Sequence, residues 1–228
     1  MRFGVAVYPG SNCDYDTYYV IRDILKKEVE FVDYRQTDLS KYDCIVVPGG
    51  FSFGDYLRPG AIASHTPLTW ALRNFAEKGK FVVGICNGFQ ILTEAHLLPG
   101  ALLPNNHGKF VCKHQFLRVE NNQTVFTRKF SPGQVVIMPI AHHDGNYFVD
   151  EETLKEMEEN GQIILRYCDM EGNVSYKANP NGSVSNIAGV CNKGKNVFGL
   201  MPHPERACEP ILGSFDGLLF LQSILREA

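Results

Sequence analysis

The stretch KFVVGICNGFQIL, residues 80–92, joins an apolar run to a helix-like pattern across a single cysteine, Cys86. The apolar run is typical of a buried β-strand, and the residues after Cys86 follow helical spacing. Gly84 and Gly88 flank Cys86 at two residues on either side. A tight strand-to-helix turn needs small residues at both positions and presents a nucleophile at the carboxyl end of the strand. The pattern therefore predicts a reactive cysteine, with a buried cysteine in an ordinary turn as the alternative.

The chain around this stretch alternates strands with helices. Such alternation predicts βαβ units and an α/β fold with a doubly wound, mostly parallel sheet. The region 109–149 lacks helical patterns and predicts an antiparallel strand extension. Predicted strands are 2–8, 29–34, 43–50, 80–85, 109–120, 134–142, 162–168, 186–192 and 196–202, and predicted helices are 14–27, 66–78, 151–160 and 214–226.

Composition indicates an ordinary globular protein. The chain has 228 residues, of which 44% are hydrophobic and 21% charged, so a single domain over residues 1–228 is expected. A net charge of −3 argues against a nucleic-acid partner, since general binders of the phosphate backbone are basic. No stretch approaches the ~18 apolar residues of a membrane span, so no membrane partner is expected.

The cysteine pattern indicates reduced thiols. The seven cysteines include no C-x-x-C pair, which suits a cytoplasmic protein better than a disulfide framework. Cys44 and Cys168 lie in strand-like runs, where we expect small, inert core residues. Cys86 differs because the helix that begins at Asn87 points its N–H groups and positive dipole end at the sulfur, which stabilises a thiolate.

A second group follows a later strand, in MPHPER. Pro204 favours an extended backbone at His203. In an extended segment, residues i and i+2 point to the same side, ~6.5–7 Å apart at Cα. Glu205 could then accept a hydrogen bond from the imidazole of His203. The pair is a candidate base with its orienting group, and a surface His–Glu pair is the alternative.

Two further segments are candidates for binding. In PGGFSFGD, residues 48–55, successive glycines let backbone amides turn toward an anion or oxyanion, although a plain Gly-rich turn is the alternative. The run His142–His143–Asp144 could suggest a metal site. Its spacing is poor and no Cys or Glu is placed to complete it, so no metal site is expected.

These motifs together resemble the class I, or triad, glutamine amidotransferases. GICNGFQ is similar to the family's G-x-C-x-G-x-Q, and HPE to its His-x-Glu. Within the family, the chain resembles the glutaminase subunits of phosphoribosylformylglycinamidine synthase, from about residue 3 to the C-terminus. One departure is PIAHHDGNY, where the family commonly has Ala-His-Gly-Glu-Gly. The wider signatures are VYPGSNCDYD, VPGGFSFGDYLRPGAIA, LRVENNQTVFT, YCDMEGN, NPNGSVSNIAGVCN and GLMPHPER.

The resemblance implies a flavodoxin-like class I glutaminase fold and a cysteinyl thioester mechanism. It implies that Cys86 attacks the side-chain carboxamide of glutamine, that His203 moves the protons, and that Glu205 orients His203. Substrate-binding positions implied by the resemblance are Gly49, Gly50, Phe51, Asn87 and Gln90. The backbone N–H groups of Asn87 and of the Gly50–Phe51 turn would hold the oxyanion, and Gln90 would recognise glutamine.

The resemblance also implies partners. In the family, ammonia passes to a separate synthetase subunit, which uses ATP and Mg to convert formylglycinamide ribonucleotide to its amidine in purine biosynthesis, and a small accessory subunit is expected. This chain carries no G-x-x-x-x-G-K-[ST] phosphate loop, so no cofactor is expected in it. The loop 169–184 is a candidate partner-facing surface.

Two alternatives remain open from the sequence. One is a glutaminase of another pathway, such as pyridoxal phosphate synthesis, against which the long pathway-specific signatures count. The other is an inactive glutaminase-like module that only binds and regulates a partner. The presence of Cys86, His203 and Glu205 together counts against that alternative.

Overall fold

The computed structural model describes residues 1–225. Contacts between Cα atoms divide the chain into two compact units. Unit 1 is Met1–Leu98 with Asn196–Gly199, and unit 2 is Pro99–Lys195 with the described residues from Leu200 onward.

Unit 1 is built from short buried strands and the helices between them. The elements are β1 (Arg2–Val7), α1 (Asp14–Tyr19), β2 (Glu28–Asp33), β3 (Cys44–Val47), α2 (Pro67–Glu77), β4 (Phe81–Ile85), α3 (Asn87–Glu94) and, up to Gly199, β11 (Val197–Leu200). Strands β1, β3 and β4 are buried along almost their whole length, as expected for a sheet covered on both faces.

The strands of unit 1 follow the order β2-β1-β3-β4-β11. Parallel pairing joins β1 to β2, β1 to β3, and β3 to β4. Helix α1 connects β1 to β2, toward one edge of the sheet, and α2 connects β3 to β4, in the opposite direction. Right-handed crossovers then place these two helices on opposite faces of the sheet. The strand order reverses between β1 and β3, and this switch point is where such sheets bind ligands.

Unit 2 is mainly antiparallel. Its elements are β5 (Ala101–Leu103), β6 (Val111–Val119), β7 (Val135–His142), β8 (Asn146–Phe148), α4 (Glu151–Glu159), β9 (Ile163–Tyr167), β10 (Ile187–Cys191) and α5 (Asp216–Ile224). The larger sheet has the order β10-β9-β6-β7, and β5 pairs with β8 in a separate two-stranded sheet. Strands β5 and β8 were not predicted from the sequence, because they are too short to carry a clear alternation.

The predicted fold class is confirmed, because unit 1 is a parallel, doubly wound sheet and unit 2 supplies the antiparallel strands. The helix predicted over 14–27 is a short α-helix that continues as a π-helical turn over Val20–Ile24, where Leu25 N bonds Val20 O at 2.9 Å. The helix predicted over 214–226 ends at Ile224, and its last predicted residue lies outside the described residues. A single domain over 1–228 stays a prediction.

The loop 169–184, the candidate partner-facing surface, is only partly exposed. Met170 and Tyr176 are 66% and 85% exposed, whereas Asn181 is completely buried. The Asn181 side chain donates to Gly145 O at 2.8 Å, and Ser183 Oγ donates to the same oxygen at 3.3 Å, so this end of the loop is bonded into unit 2. Among residues 1–225, no helix has the length and apolar character required to cross a membrane.

Candidate active site

Cys86 lies at the junction of β4 and α3, in unit 1. Its backbone has φ 51° and ψ −106°, a strained combination for a residue with a side chain. Cys86 is the N-cap residue of α3, and the residue is 6% exposed. Positive φ at the residue between a strand and a helix is the geometry of a nucleophile elbow, as the sequence predicted.

The two flanking glycines are required by packing. A Cβ on Gly84 would lie 2.7 Å from the backbone carbonyl atoms of Gly88, and a Cβ on Gly88 would lie 1.9 Å from Val47 O in β3. Both distances are far inside van der Waals contact. The Gly-x-Cys-x-Gly pattern is therefore the condition for α3 to lie against β3 and β4.

Asn87 and Gln90 are brought together at the start of α3. Asn87 Nδ2 donates to Gln90 Oε1 at 2.9 Å, and Asn87 Oδ1 accepts from Ser52 N at 3.1 Å. All three residues are buried. The first turn of α3 is thereby tied to the glycine-rich segment that follows β3.

The predicted binding turn Gly49–Gly50–Phe51 lies at the switch point and pairs with the turn after β1. Gly49 O accepts from Cys13 N at 3.2 Å, and Phe51 N donates to Gly10 O at 2.9 Å. Gly50 has φ 144°, and a Cβ there would lie 2.6 Å from Asn12 N. In this conformation the Phe51 N–H bonds the β1 turn.

His203 and Glu205 lie together in unit 2. The two side chains are buried, and His203 Nδ1 lies 2.6 Å from Glu205 Oε1. A carboxylate only accepts, so the imidazole donates through Nδ1–H. The His203 backbone is extended, with φ −105° and ψ 91°, and its N–H donates to Pro139 O on β7 at 2.8 Å.

The pairing was predicted, but the backbone that produces it was not. Pro204–Arg206 forms a 3₁₀ turn instead of an extended run. A Cβ on Gly217 of α5 would lie 1.9 Å from Pro204 O, so the helix packs directly on the turn and holds it. The turn brings the carboxylate of Glu205 back to the imidazole of His203. An extended strand would have pointed the two side chains to the same side without bringing them together.

His142, at the end of β7, is a buried neutral imidazole. Asn105 Nδ2 donates to His142 O and to Lys109 O, which leaves Asn105 Oδ1 as the acceptor for His142 Nδ1 at 3.1 Å. Among residues 1–225 no hydrogen-bond partner reaches His142 Nε2. Burial and the nearby charge of His203 lower the pKa of His142 from 6.5 to about 4.

The two histidines of the AHHDG segment have different partners. His143 Nδ1 lies 2.9 Å from Asp144 Oδ2 in an exposed pair, whereas His142 bonds Asn105. A Cβ on Gly145 would lie 2.3 Å from the His142 ring, which explains a glycine at that position. The segment is built around packing of His142, which does not favour the metal-site alternative.

Two of the other cysteines bear out their predicted inert role. Cys44 and Cys168 are buried, and burial raises the pKa of both thiols, to about 11 for Cys168. Burial likewise raises the pKa of Cys191 to about 11 and of Cys208 to about 12. These four thiols are poor nucleophiles near neutral pH.

Sequence reasoning missed several positions that shape the site. Gly10 and Ser52 hold the turn after β3. The sequence could have indicated both, because each follows a strand that ends at the switch point. Asn105 and Gly217 have no such signal. They act on His142 and Pro204 across long sequence separations.

Comparison with known proteins identifies a family. Residues 1–215 match the CobB/CobQ-like glutamine amidotransferase domain. The chain is 67% identical to the phosphoribosylformylglycinamidine synthase subunit PurQ of Aquifex aeolicus over 100% of both chains. It is 54% identical to the subunit of the same name from Moorella thermoacetica, over 99% of this chain and 95% of that protein.

Solved structures agree. A chain in the structure of PurLQS from Thermotoga maritima superposes with a TM-score of 0.86 at 47% identity, over 98% of this chain and 96% of that one. A glutamine amidotransferase from Thermotoga maritima superposes with a TM-score of 0.63 at 14% identity, over 99% of both chains, which shows the fold alone. The chain therefore belongs to the glutamine amidotransferase family, among the PurQ subunits of phosphoribosylformylglycinamidine synthase.

Proposed function

We propose that this chain is the glutaminase subunit of a phosphoribosylformylglycinamidine synthase, and that it hydrolyses L-glutamine to glutamate and ammonia through a thioester on Cys86. The observation that carries the proposal is the Cys86 turn. A cysteine is held at φ 51° between two glycines that cannot carry a Cβ, at the start of a buried helix. The full-length identity to PurQ subunits supports the pathway.

The proposed first half-reaction forms the thioester. Cys86 gives its proton to Nε2 of His203, and the sulfur adds to the side-chain carbonyl carbon of glutamine. The tetrahedral oxyanion collapses, the C–N bond breaks, and His203 returns the proton to the leaving ammonia. Glu205, 2.6 Å from Nδ1, fixes the tautomer that leaves Nε2 to exchange this proton.

The second half-reaction hydrolyses the thioester. His203 removes a proton from water, whose oxygen attacks the thioester carbon. The C–S bond breaks, glutamate leaves, and Cys86 regains a proton. The oxyanion of each step is held by the backbone N–H groups of Asn87 and Phe51, each worth roughly 3–4 kcal/mol. Phe51 must first leave Gly10 O, to which its N–H is bonded at 2.9 Å.

The remaining assignments concern the site's surroundings. Gln90, whose carbonyl oxygen is held by Asn87 at 2.9 Å, recognises the substrate glutamine. The ammonia goes to a synthetase subunit, which uses ATP and Mg to convert formylglycinamide ribonucleotide to its amidine. A small accessory subunit completes the complex, and this chain needs no cofactor of its own. Its thiols suit the cytoplasm, where purine biosynthesis would place it.

A nitrogen-transfer experiment tests the proposal. The purified chain is mixed with the synthetase and accessory subunits, ATP, Mg and formylglycinamide ribonucleotide, with glutamine labelled with ¹⁵N in its amide. The expected result is ¹⁵N in the amidine product, even with unlabelled ammonium in excess. Glutamate release without label transfer would favour another pathway, to be checked with a pyridoxal phosphate synthase partner. No glutamate release in any mixture would favour the inactive module.

A further inference from the structure

Two buried side-chain amides, those of Asn87 and Gln90, form a chain of hydrogen bonds with the backbone of Ser52. Ser52 N donates to Asn87 Oδ1 at 3.1 Å, and Asn87 Nδ2 donates to Gln90 Oε1 at 2.9 Å. Ser52 is 3% exposed, Asn87 2% and Gln90 5%, and all three lie in unit 1. Burying amides is costly unless they are hydrogen-bonded, so apolar side chains would serve packing alone at least as well.

The Ser52 amide fixes the direction of the whole chain. A backbone N–H can only donate, so the Asn87 atom that faces Ser52 is the carbonyl oxygen. The other end of the Asn87 amide is then its NH₂ group, which also can only donate, so the Gln90 atom that faces it is the carbonyl oxygen. One backbone group thereby sets the orientation of two side-chain amides.

Other contacts hold the backbone of Gln90. Gln90 N donates to Cys86 O at 3.1 Å, so Gln90 lies one turn along α3 from the proposed nucleophile. Thr93 Oγ1 donates to Gln90 O at 2.9 Å, and a Cβ on Gly60 would lie 2.8 Å from Gln90 C, so the backbone is packed closely there. Loss of the Asn87 amide should therefore leave this backbone in place and change the orientation of the Gln90 side chain.

We propose that the Asn87 side chain is a positioning residue of the glutaminase site, which turns the Gln90 amide so that Nε2 meets an oxygen of the bound glutamine as a hydrogen-bond donor. The inference rests on the proposed function. It gives the Asn87 side chain a role separate from that of the Asn87 backbone N–H, which is a proposed oxyanion donor. Substitutions of the side chain leave that N–H in place, so the two roles can be tested apart.

Asn87→Asp tests the orientation directly. It keeps the size of the side chain and an acceptor for Ser52 N, but it replaces Nδ2 with an oxygen. Two oxygens facing each other at the 2.9 Å now spanned by a hydrogen bond would repel, so the Gln90 amide should turn over and offer Oε1 to the substrate. Thr93→Val is the matched control, because it is nearly isosteric and removes a buried bond of the same 2.9 Å length from α3, to the backbone of Gln90.

The first measurement is the Kd for glutamine, by calorimetry on the complex with the synthetase and accessory subunits. All variants carry Cys86→Ala as well, so that bound glutamine is not hydrolysed. We expect Asn87→Asp to raise the Kd about 10-fold or more, as for loss of a hydrogen bond to a polar substrate group in a buried site. Thr93→Val should change the Kd less than about twofold.

The second measurement separates positioning from a structural role. With Cys86 intact, Asn87→Asp should raise KM for glutamine about 10-fold or more and change kcat less than about threefold, because the contact is present in both the bound substrate and the transition state. A merely structural Asn87 would instead disturb the Cys86 turn and lower kcat. Asn87→Ala should likewise raise the Kd, but less than about twofold in the Gln90→Ala background, since Asn87 acts through Gln90.

Urea midpoints show whether each variant is folded, and the cycle with Asn87→Ala and Gln90→Ala decides the matter if Asn87→Asp is not. A Kd within twofold of the parent for folded Asn87→Asp, or for Gln90→Ala, would overturn the inference. Independent, additive effects of Asn87→Ala and Gln90→Ala, or a loss confined to kcat, would also overturn it. If the wild-type complex releases no glutamate from glutamine, the proposed function fails instead, so the two failures are distinguishable.

Discussion

At the scale of single residues, the backbone conformation of Cys86 is unfavourable, and packing of the neighbouring residues offsets that free-energy cost. Holding a residue other than glycine at φ 51° and ψ −106° costs of order 1–3 kcal/mol. Gly84 packs closely against Gly88, and Gly88 packs closely against Val47. These contacts hold the turn between β4 and α3 in its strained conformation. The strain places the sulfur at the helix start, where its proposed chemistry needs it.

Cys86→Ala should abolish glutamine-dependent amidation, because no other thiol can form the acyl intermediate at that position. The rate should fall about 10⁴-fold or more, as for nucleophiles in comparable sets. Ammonia-dependent synthesis by the complex should persist and serves as the control. The measurement is amidine formation with each nitrogen donor. Substantial glutaminase activity in the variant, or labelling of a different cysteine by an electrophilic glutamine analogue, would refute the assignment.

The buried His203–Glu205 pair predicts a ranking of variants. His203→Ala should be nearly as severe as loss of the cysteine, since no proton carrier remains. Glu205→Gln should be milder, because the amide oxygen can still accept from Nδ1 but no longer stabilises an imidazolium. Steady-state glutamate release by the complex measures both. If Glu205→Gln were the slower enzyme in folded protein, the two roles would be wrong.

His142 should make stability fall in mild acid. Its pKa is lowered in the folded state from 6.5 to about 4, so between these values the unfolded chain binds more protons. The free energy of unfolding therefore rises with pH across this window and is lost as pH falls from 6.5 toward 4. The lowering of the His142 pKa from 6.5 to about 4 corresponds to a change of roughly 3 kcal/mol in the free energy of unfolding.

His142→Asn tests this, because its amide can replace the Nδ1 donor to Asn105 but does not titrate. Urea unfolding from pH 4 to 7 should show a pH dependence shallower than wild type by roughly 3 kcal/mol. His143→Asn is the control, since His143 is exposed and paired with Asp144. An unchanged slope in His142→Asn would show that the acid sensitivity comes from other groups.

At the scale of elements, α3 is the element on which unit 1 assembles its candidate site residues. Its residues from Asn87 to Thr93 are all buried, and Gly88 brings its first turn against β3. A helix so enclosed cannot shift to admit a larger side chain. The close approach also brings Asn87 within reach of Ser52 in the segment after β3.

Gly88→Ala should therefore destabilise the chain, although glycine to alanine in an open helix stabilises by about 1 kcal/mol. The new Cβ would meet Val47 O at 1.9 Å, and such overpacking typically costs about 1–3 kcal/mol or more. The urea midpoint measures the change. Asn74→Ala on the exposed side of α2 is the control and should unfold at or above the wild-type midpoint. A raised midpoint in Gly88→Ala would contradict the packing argument.

At the scale of the whole molecule, the proposed reaction is useful only where an acceptor takes up the ammonia. Free ammonia is mostly protonated near neutral pH and would be wasted without an acceptor. A subunit that hydrolysed glutamine alone would consume it for nothing. The hydrogen bond from Phe51 N to Gly10 O offers a control point, because it occupies one proposed oxyanion donor.

The subunit alone should accordingly be a poor glutaminase that its partner activates. One missing oxyanion donor lowers the rate by roughly 10²–10³-fold. The measurement is kcat for glutamate release by the purified subunit, with and without synthetase loaded with ATP and formylglycinamide ribonucleotide. Synthetase without nucleotides is the control and should activate less. Equal kcat in all three conditions would indicate a free-standing glutaminase.

The sequence by itself determined the features that depend on local pattern. Apolar runs alternating with helical spacing predicted the α/β class, and Gly-x-Cys-x-Gly predicted the turn at Cys86, because backbone sterics act between near neighbours in the chain. His203-Pro204-Glu205 also predicted the hydrogen-bonded pair, although by way of an extended backbone that the structure replaces with a 3₁₀ turn. The resemblance of the motifs to one family then supplied the reaction.

Only the tertiary structure decided what depends on distant contacts. The 3₁₀ turn that returns Glu205 to His203 is held by Gly217 on α5, and the His142 ring is hydrogen-bonded by Asn105, 37 residues away in the chain. The bond from Phe51 N to Gly10 O likewise exists only because the turns after β1 and β3 meet at one edge of the sheet. Hydrogen bonding and desolvation at these sites involve residues far apart in sequence, so no local pattern of residues predicts them.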